Sequence, residues 1–231
     1  MQNNEFADLL VDALNDAELK SSDIPAIDLY VDQIINLHTE KLKEGSERFY
    51  DRQLTKTMIN NYAKDRVITP VSGKKYTKEQ IIQILTVYTL KGTLSINEIK
   101  RMLHGAYGAE DFDGASLVAL YDKYTESKEN SREYAKKVVS DMLLENSLDI
   151  QNDDDYFVAV ATISAMSSFM KSIAQAMIDA KYPEPPSESE AEKEKKEKEK
   201  KEKDKEKKEK KEKKEKKKKV PETDNGEAKH E

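Results

Sequence analysis

The chain of 231 residues contains no cysteine and only three histidines. The lack of cysteine excludes a disulfide framework, a thiolate zinc site and a cysteine nucleophile, and it fits a reducing, intracellular compartment. His38, His104 and His230 lie far apart, and none has the spacing of a paired metal ligand. Glycine is also scarce, and Gly105–Gly108 lacks the lysine and hydroxyl residue of a phosphate-binding loop. We therefore expect no enzyme, no metal site and no cofactor.

Long hydrophobic runs are absent as well. The N-terminus, MQNNEFADLL, has no basic segment before an apolar run, so no secretory signal is expected. The longest weakly charged stretch, Tyr156–Met170, is shorter than the roughly 20 apolar residues that span a bilayer. We interpret it as a buried helix and expect no membrane partner. The acids Asp153–Asp155 before it are interpreted as the first turn of that helix, where the helix dipole favours negative charge, rather than as a cation site.

A charged tail of low complexity occupies residues 187–231. From Glu192 to Lys219 every one of 28 residues is charged, with 18 lysines and 10 acids. Such a segment has no apolar surface to offset the entropy of ordering, so it forms no packed core. Its structure stays open between a solvated helix with i, i+4 ion pairs and a disordered arm. Its role stays open between salt-sensitive attraction to DNA and simple solubilisation.

The apolar residues of the body recur at helical spacing almost throughout, which predicts an all-α fold. Residues 1–24 are expected to hold an amphipathic helix, and residues 113–182 a C-terminal helical bundle whose apolar stripes form its core. The predicted helices cover residues 6–17, 27–43, 55–64, 78–90, 95–103, 116–126, 131–145 and 154–180, with a glycine hinge at Gly105–Gly114 and at most a small two-stranded wing around Val67–Tyr76. Ser95 and Glu98 have the spacing of a capping box.

Positive charge is concentrated in the middle of an otherwise acidic body. Residues 51–103 carry 10 basic and 4 acidic side chains. Residues 1–50 carry 4 basic and 11 acidic side chains, and residues 104–182 carry 7 and 14. A local excess of cations is expected where a protein contacts a phosphate backbone.

The predicted helix at 55–64 has one polar face inside this basic region. Leu54, Met58, Ile59 and Tyr62 fall on one side, and hydroxyl, amide and amine side chains fall on the other. Asparagine can pair with the edge of adenine, and lysine can reach guanine or a phosphate, so this face suits the major groove of DNA. A following turn with two adjacent lysines suits the neighbouring backbone. The candidate DNA-binding residues are Arg52, Thr55, Lys56, Thr57, Asn60, Asn61, Lys64, Arg66, Lys74 and Lys75.

These residues also carry a family resemblance. The segments LTKTMINNY (54–62), VITP (67–70), KKYT (74–77) and GTLSINEIK (92–100) resemble the winged helix-turn-helix of MerR-type regulators. Together with IDLYVDQ (27–33), they resemble the bacterial domain of unknown function 1836 from about Pro25 to Leu103. The chain departs from the MerR pattern at Asn60 and Asn61, which replace an arginine and a tyrosine, and in a longer connection at Glu44–Gln53.

The resemblance implies a DNA-binding domain at residues 25–108 and a dimerisation or effector region at residues 113–182. It implies double-stranded DNA and a second copy of the chain as partners, and leaves any small-molecule effector unknown. We expect a transcriptional regulator in a bacterial cytoplasm, associated with the nucleoid, that reads a two-fold-related site with a helix in the major groove. The alternative is a non-catalytic protein-interaction adaptor with a helix-turn-helix shape, which the acidic flanks favour.

Overall fold

A computed structural model of the protein describes residues 3–107 and 113–184, and helices dominate both ranges. The charged tail predicted at 187–231 and part of the predicted glycine hinge lie outside the described residues. Two short 3-10 turns, at Ser21–Asp23 and Glu47–Phe49, connect the first elements. The helices of the described ranges are α1 (Asn3–Leu14), α2 (Val31–Leu42), α3 (Lys56–Lys64), α4 (Lys78–Leu90), α5 (Ile96–Tyr107), α6 (Gly114–Glu145) and α7 (Asp153–Lys181), and the strands are β1 (Leu29–Tyr30) and β2 (Lys75–Tyr76).

The starts of α3 and α5 are fixed by capping residues, of which the sequence identified Ser95 at α5. The Oγ1 of Thr55 accepts a hydrogen bond from the backbone N–H of Met58 at 3.3 Å. At α5, the N–H of Ser95 donates to Glu98 Oε2 at 2.7 Å, and the N–H of Glu98 donates to Ser95 Oγ at 3.2 Å. These contacts satisfy N–H groups that have no partner inside a helix, so the predicted capping box is confirmed.

The hydrophobic core is centred on α4, which is buried on almost all sides. Ile81, Ile82, Ile84 and Val87 of α4 are inaccessible to solvent apart from traces. The core also contains residues from α2, α3, α5 and α6, and each fully buried aliphatic side chain contributes about 1.5–3 kcal/mol. These helices share one continuous core with α4. The apolar side of α3 is part of this core.

The two-stranded sheet differs from the expected wing. The strand at Lys75–Tyr76 pairs antiparallel with β1, far upstream, and not with a neighbour inside 67–76. Leu29 lies opposite Tyr76 in this register, and both side chains are buried. Because pairing with β2 keeps Leu29 and Tyr30 extended, α2 begins at Val31 and not at the predicted residue 27.

The structure has a break between helices inside the predicted hinge Gly105–Gly114, but both flanking helices extend into that range. The helix α5 continues through Gly105 to Tyr107, and Gly114 is the first residue of α6. A Cβ atom at Gly105 would lie 2.1 Å from Cδ1 of Tyr182, so the glycine is there to let this ring pack on the helix. Asp113 caps α6 by accepting a hydrogen bond from the N–H of Ser116 at 2.7 Å.

The two helices predicted at 116–126 and 131–145 are one continuous helix, α6, of 32 residues. The polar run between them suggested a break, but its side chains bind another part of the fold. Lys128 Nζ lies 2.7 Å from Asp16 Oδ2 and 2.9 Å from Glu18 Oε2, and Arg132 Nη2 lies 2.9 Å from Asp16 Oδ1. These ion pairs hold the middle of α6 against the segment after α1.

The prediction that Tyr156–Met170 is a buried helix is wrong. Its helix, α7, has 29 residues, and Phe157 and Phe169 are 73% and 65% exposed. By length and composition alone α7 is apolar enough to cross a membrane, although the sequence suggested too short a stretch. The interpretation of Asp153–Asp155 as a first helical turn is confirmed, because Asn152 Oδ1 caps it with hydrogen bonds from the N–H groups of Asp154 and Asp155.

Candidate nucleic-acid interface

The helix α3 is anchored by its apolar side. Leu54, Ile59 and Tyr62 are buried in the core, and α3 packs against α2 and α4. Burial raises the pKa of Tyr62 to about 12, so its hydroxyl stays neutral. These contacts fix the rotation of α3 about its axis, and therefore determine which of its residues face solvent.

The opposite side of α3 is polar and exposed. Lys56, Thr57, Asn60, Asn61 and Lys64 are all solvent-exposed. The side chains of Asn60 and Asn61 form no hydrogen bond within the described part of the chain, and α3 contains no acidic residue. The amide donors and acceptors are therefore free to meet a ligand.

Thr55, another predicted site residue, also has a structural role at the start of α3. Its side-chain oxygen accepts the capping hydrogen bond described above, while the residue itself is exposed. The hydroxyl proton is not used by the cap, so Thr55 can still donate a hydrogen bond from the N-terminal end of α3.

The C-terminal end of α3 places Arg66 in an unusual backbone conformation. Arg66 has a φ of +53°, in the left-handed region that favours glycine, and it directly follows the last helical turn. The N–H of Val67 donates to the carbonyl oxygen of Tyr62 at 2.9 Å, which closes the helix end. Lys100 Nζ donates to the carbonyl oxygen of Asp65 at 2.8 Å, and His104 Nε2 hydrogen-bonds to that of Arg66 at 2.9 Å. Side chains of α5 therefore hold the backbone at Arg66 in place, while the guanidinium of Arg66 is exposed.

The basic turn after α3 also lies on the surface. Lys74 and Lys75 are exposed, and Gly73 supplies a φ of +80° for the turn that precedes them. Pairing with β1 fixes Lys75, whose Nζ lies 5.0 Å from the ring centroid of Tyr30. The turn therefore exposes two adjacent lysines, the second of which lies in a strand that is hydrogen-bonded to β1.

Two buried glutamines of α4, which the sequence analysis missed, position the chain between α3 and this turn. Gln83 Oε1 accepts a hydrogen bond from the N–H of Thr69 at 2.7 Å, and Gln80 Nε2 donates to the carbonyl oxygen of Pro70 at 2.8 Å. The sequence did carry a signal, since Gln83 interrupts the apolar run Ile81–Leu85 and a buried polar group needs a partner.

Arg52 is set apart from the other predicted site residues. Its guanidinium carbon lies 5.2 Å from the ring centroid of Phe49, and its carbonyl oxygen accepts a hydrogen bond from the hydroxyl of Tyr88. It lines a cleft with Met58 on the apolar side of α3. The structure thus collects Lys56, Thr57, Asn60, Asn61 and Lys64 on one helix face, Arg66 at its end and Lys74 with Lys75 on the following turn, whereas Arg52 borders a different feature.

Comparison with known proteins supports one of the resemblances. Residues 19–124 match the family described as Domain of unknown function (DUF1836). No curated protein and no solved structure matches the chain. The matched segment begins before the sheet and ends within α6, so it includes α3, the basic turn and the core that supports them. The match confirms the resemblance of this part of the chain to the family of domain of unknown function 1836.

Proposed function

We propose that the protein is a DNA-binding transcriptional regulator that places α3 in the major groove. The observation that carries this proposal is the outer face of α3, where amide, hydroxyl and amine groups stand exposed on a helix without acids. A helix with its side chains is about 10–12 Å in diameter, and the major groove is about 12 Å wide, so α3 fits into it.

The residues of α3 have distinct roles in this proposal. Asn60 and Asn61 read base edges, because a carboxamide can donate and accept at once and so pairs with the N6/N7 edge of adenine. Lys56 lies about one turn before Asn60 and Lys64 about one turn after it, on the same face, and both contact bases or phosphates. Lys74, on the basic turn, contacts the backbone and sets the position of the helix without specifying sequence.

The arrangement of a MerR-like winged helix-turn-helix is part of the same proposal. In it, α2 and α3 are the two helices, and the basic turn with β2 takes the place of the wing. Support comes from the packing of α3 on α2 and from the position of the turn directly after α3. Such proteins act inside the cell on the chromosome, so we propose a bacterial cytoplasm, associated with the nucleoid, as the location.

A homodimer is proposed because α7 leaves a large apolar surface uncovered. Val158, Phe169, Ile173 and Met177 are exposed at i, i+11, i+15 and i+19, which places them on one side of the helix. These four side chains are 44–68% exposed, so this side of α7 offers an apolar surface of the kind that marks an interaction site.

A second copy of the chain suits this surface better than a bilayer does. Lys171 lies in the middle of the apolar stretch, and the C-terminal end of α7 is fixed to the domain. Ile178 is buried in the core there, and Asp179 forms an ion pair with Arg101 of α5. Insertion into a membrane would have to break these contacts, whereas pairing with another α7 leaves them in place.

The DNA-binding proposal is tested by selecting bound sequences from a random duplex pool and measuring affinity for the selected site by fluorescence anisotropy. Asn60→Ala or Asn61→Ala is expected to cost about 1–3 kcal/mol and to relax preference at one base position. Lys74→Ala is expected to weaken all duplexes alike and to reduce the salt slope by about 0.9. Lys137→Ala is the matched control, because Lys137 is exposed on α6 and pairs with Asp141.

The selection also separates this proposal from the adaptor. Enrichment of a two-fold-related sequence, lost on substitution of the asparagines, supports the regulator. An unenriched pool, with binding that the variants of Asn60 and Lys74 do not change, would instead support a protein-interaction adaptor that keeps the shape but does not bind DNA.

The dimer is tested by light scattering after size-exclusion chromatography. Phe169→Ser is expected to shift the wild-type dimer toward the monomer. Ile27→Ser removes an equally exposed side chain far from α7 in sequence and should leave the mass unchanged. A wild-type monomer at high concentration, or a Phe169→Ser variant that stays dimeric, would refute the assignment of the interface to α7.

A further inference from the structure

A cleft that the proposed function does not use opens beside the apolar side of α3. It has a volume of about 780 Å³, within the range of about 300–1,000 Å³ that is common for small-molecule sites. It lies between α2, α4, α6 and the segment 16–19, and buried apolar side chains from Leu19, Leu85 and Tyr121 contribute to its wall. This wall resembles that of a ligand site, where an apolar surface contains a few polar groups.

A buried histidine lines part of the cleft. His38 is only 5% exposed, and its Nδ1 forms no hydrogen bond within the described residues. Its ring packs edge-on against Tyr88, with centroids 4.5 Å apart and planes at 76°. Burial lowers the pKa of His38 to about 4, so the ring is neutral near pH 7. The neutral ring therefore adds to the apolar part of the wall, and a ligand that packs on it changes the surroundings of the ring nitrogens.

Two of the three acids that line the cleft are already neutralised. Asp16 and Glu18 share the ammonium group of Lys128, and Asp16 also pairs with Arg132. Burial opposes ionisation of Asp16, but the contacts with Lys128 and Arg132 outweigh it, so its pKa is lowered overall. Asp16 and Glu18 are therefore already paired and do not neutralise the other cations that line the cleft.

Two cations at the mouth keep their charge uncompensated. Neither Arg52 nor Lys91 forms an ion pair with any residue that the structure describes. Instead, Arg52 lies over the ring of Phe49, and Lys91 Nζ lies 5.5 Å from the ring centroid of Tyr88. Asp51 is the remaining acid of the lining, so cations exceed acids there once the paired groups are set aside.

We propose that this cleft binds a small organic acid. The apolar body of the ligand lies against the buried wall and contacts the ring of His38, and its carboxylate lies at the mouth near Arg52 and Lys91. Charge-assisted hydrogen bonds to two cations favour an anion over a neutral molecule of the same shape. The site does not depend on DNA binding, because all of the residues that line the cleft belong to the protein itself.

Binding is tested on the full chain without DNA, with 4-phenylbutyrate as the probe and 4-phenylbutanol as its uncharged counterpart. Calorimetry gives the two affinities, and NMR spectra of the histidine ring nitrogens report contact with His38. The acid is expected to bind about tenfold more tightly than the alcohol. The double variant Arg52→Gln/Lys91→Gln should remove this preference and leave the affinity for the alcohol unchanged. Lys43→Gln, at an exposed lysine that pairs with Glu40, is the matched control.

Three results would each overturn the proposal. The first is that the acid and the alcohol bind equally, or that neither binds at millimolar concentration. The second is that the double variant keeps the preference for the acid. The third is that the acid binds but leaves the His38 ring signals unmoved, because it then occupies another apolar surface such as α7.

Discussion

Acidification from pH 7 to pH 5 should destabilise the fold through His38. The folded-state pKa of His38 is lowered from 6.5 to about 4 because the ring is buried. The unfolded chain therefore takes up a proton below about pH 6.5, while the folded protein stays unprotonated until about pH 4. Stability that is fully present above pH 6.5 is lost as the pH falls through this window. Linkage gives a loss of about 2 kcal/mol in the free energy of unfolding between pH 7 and pH 5.

The loss is measured by urea unfolding at each pH, followed by far-UV circular dichroism. His38→Phe keeps an aromatic ring beside Tyr88 and removes the titrating group, so most of the pH dependence should vanish. His104→Gln, at an exposed position, controls for the loss of a histidine outside the core. An equal loss of stability in His38→Phe and in the wild type would show that burial of His38 is not the cause.

Two further substitutions test packing at the ends of the domain. Gly105→Ala is expected to lower the free energy of unfolding by about 1–3 kcal/mol, because the new methyl group overlaps the ring of Tyr182. In a Tyr182→Ala background the same change should stabilise by about 1 kcal/mol, since alanine is then the better helix former. Tyr121→Phe should cost about 1–3 kcal/mol, because it leaves the buried carbonyl oxygen of Leu19 without its hydrogen bond of 2.7 Å.

Each of these changes has a control and a contrary outcome. Gly92→Ala should be nearly neutral, since the nearest atom to a new Cβ lies 3.9 Å away. Tyr134→Phe removes an exposed hydroxyl and should change stability by less than about 0.5 kcal/mol. If Gly105→Ala is neutral whether or not Tyr182 is present, the ring does not pack there. If Tyr121→Phe and Tyr134→Phe behave alike, the buried hydrogen bond contributes nothing.

The helices that the sequence predicted well are those whose ends depend on local contacts. The cap at Ser95 bonds to Glu98, three positions away, so the spacing of these two residues was enough to find it. The exposed face of α3 was also predictable, because helical spacing separates Ile59 and Tyr62 from Asn60 and Asn61.

The features that the sequence missed depend on distant parts of the chain. The continuity of α6 depends on Lys128 and Arg132 meeting Asp16, more than a hundred residues earlier. The pairing of Leu29 with Tyr76 is likewise a long-range event that no local pattern encodes. For α7, composition showed an apolar helix, but the exposure of Phe169 depends on which neighbours the fold supplies.

The cleft shows the same limit. His38 is a lone histidine on an apolar helix face, and spacing alone does not reveal that its ring lies beside Tyr88 with one nitrogen unpartnered. Arg52 was assigned to the DNA-binding set on charge, and only the fold shows that it borders this cleft. The sequence therefore identified Arg52 and His38 as notable residues, but only the tertiary structure shows that both line one cleft.

Chromatin enrichment of the tagged protein tests the central proposal most directly, with Asn60→Ala/Asn61→Ala as the comparison. The proposal predicts discrete sites that share a two-fold-related sequence for the wild type, and loss of these sites in the variant at equal protein level. Uniform recovery of the chromosome by the wild type, or the same discrete sites in the variant, would contradict the proposal that the exposed amides of α3 read DNA.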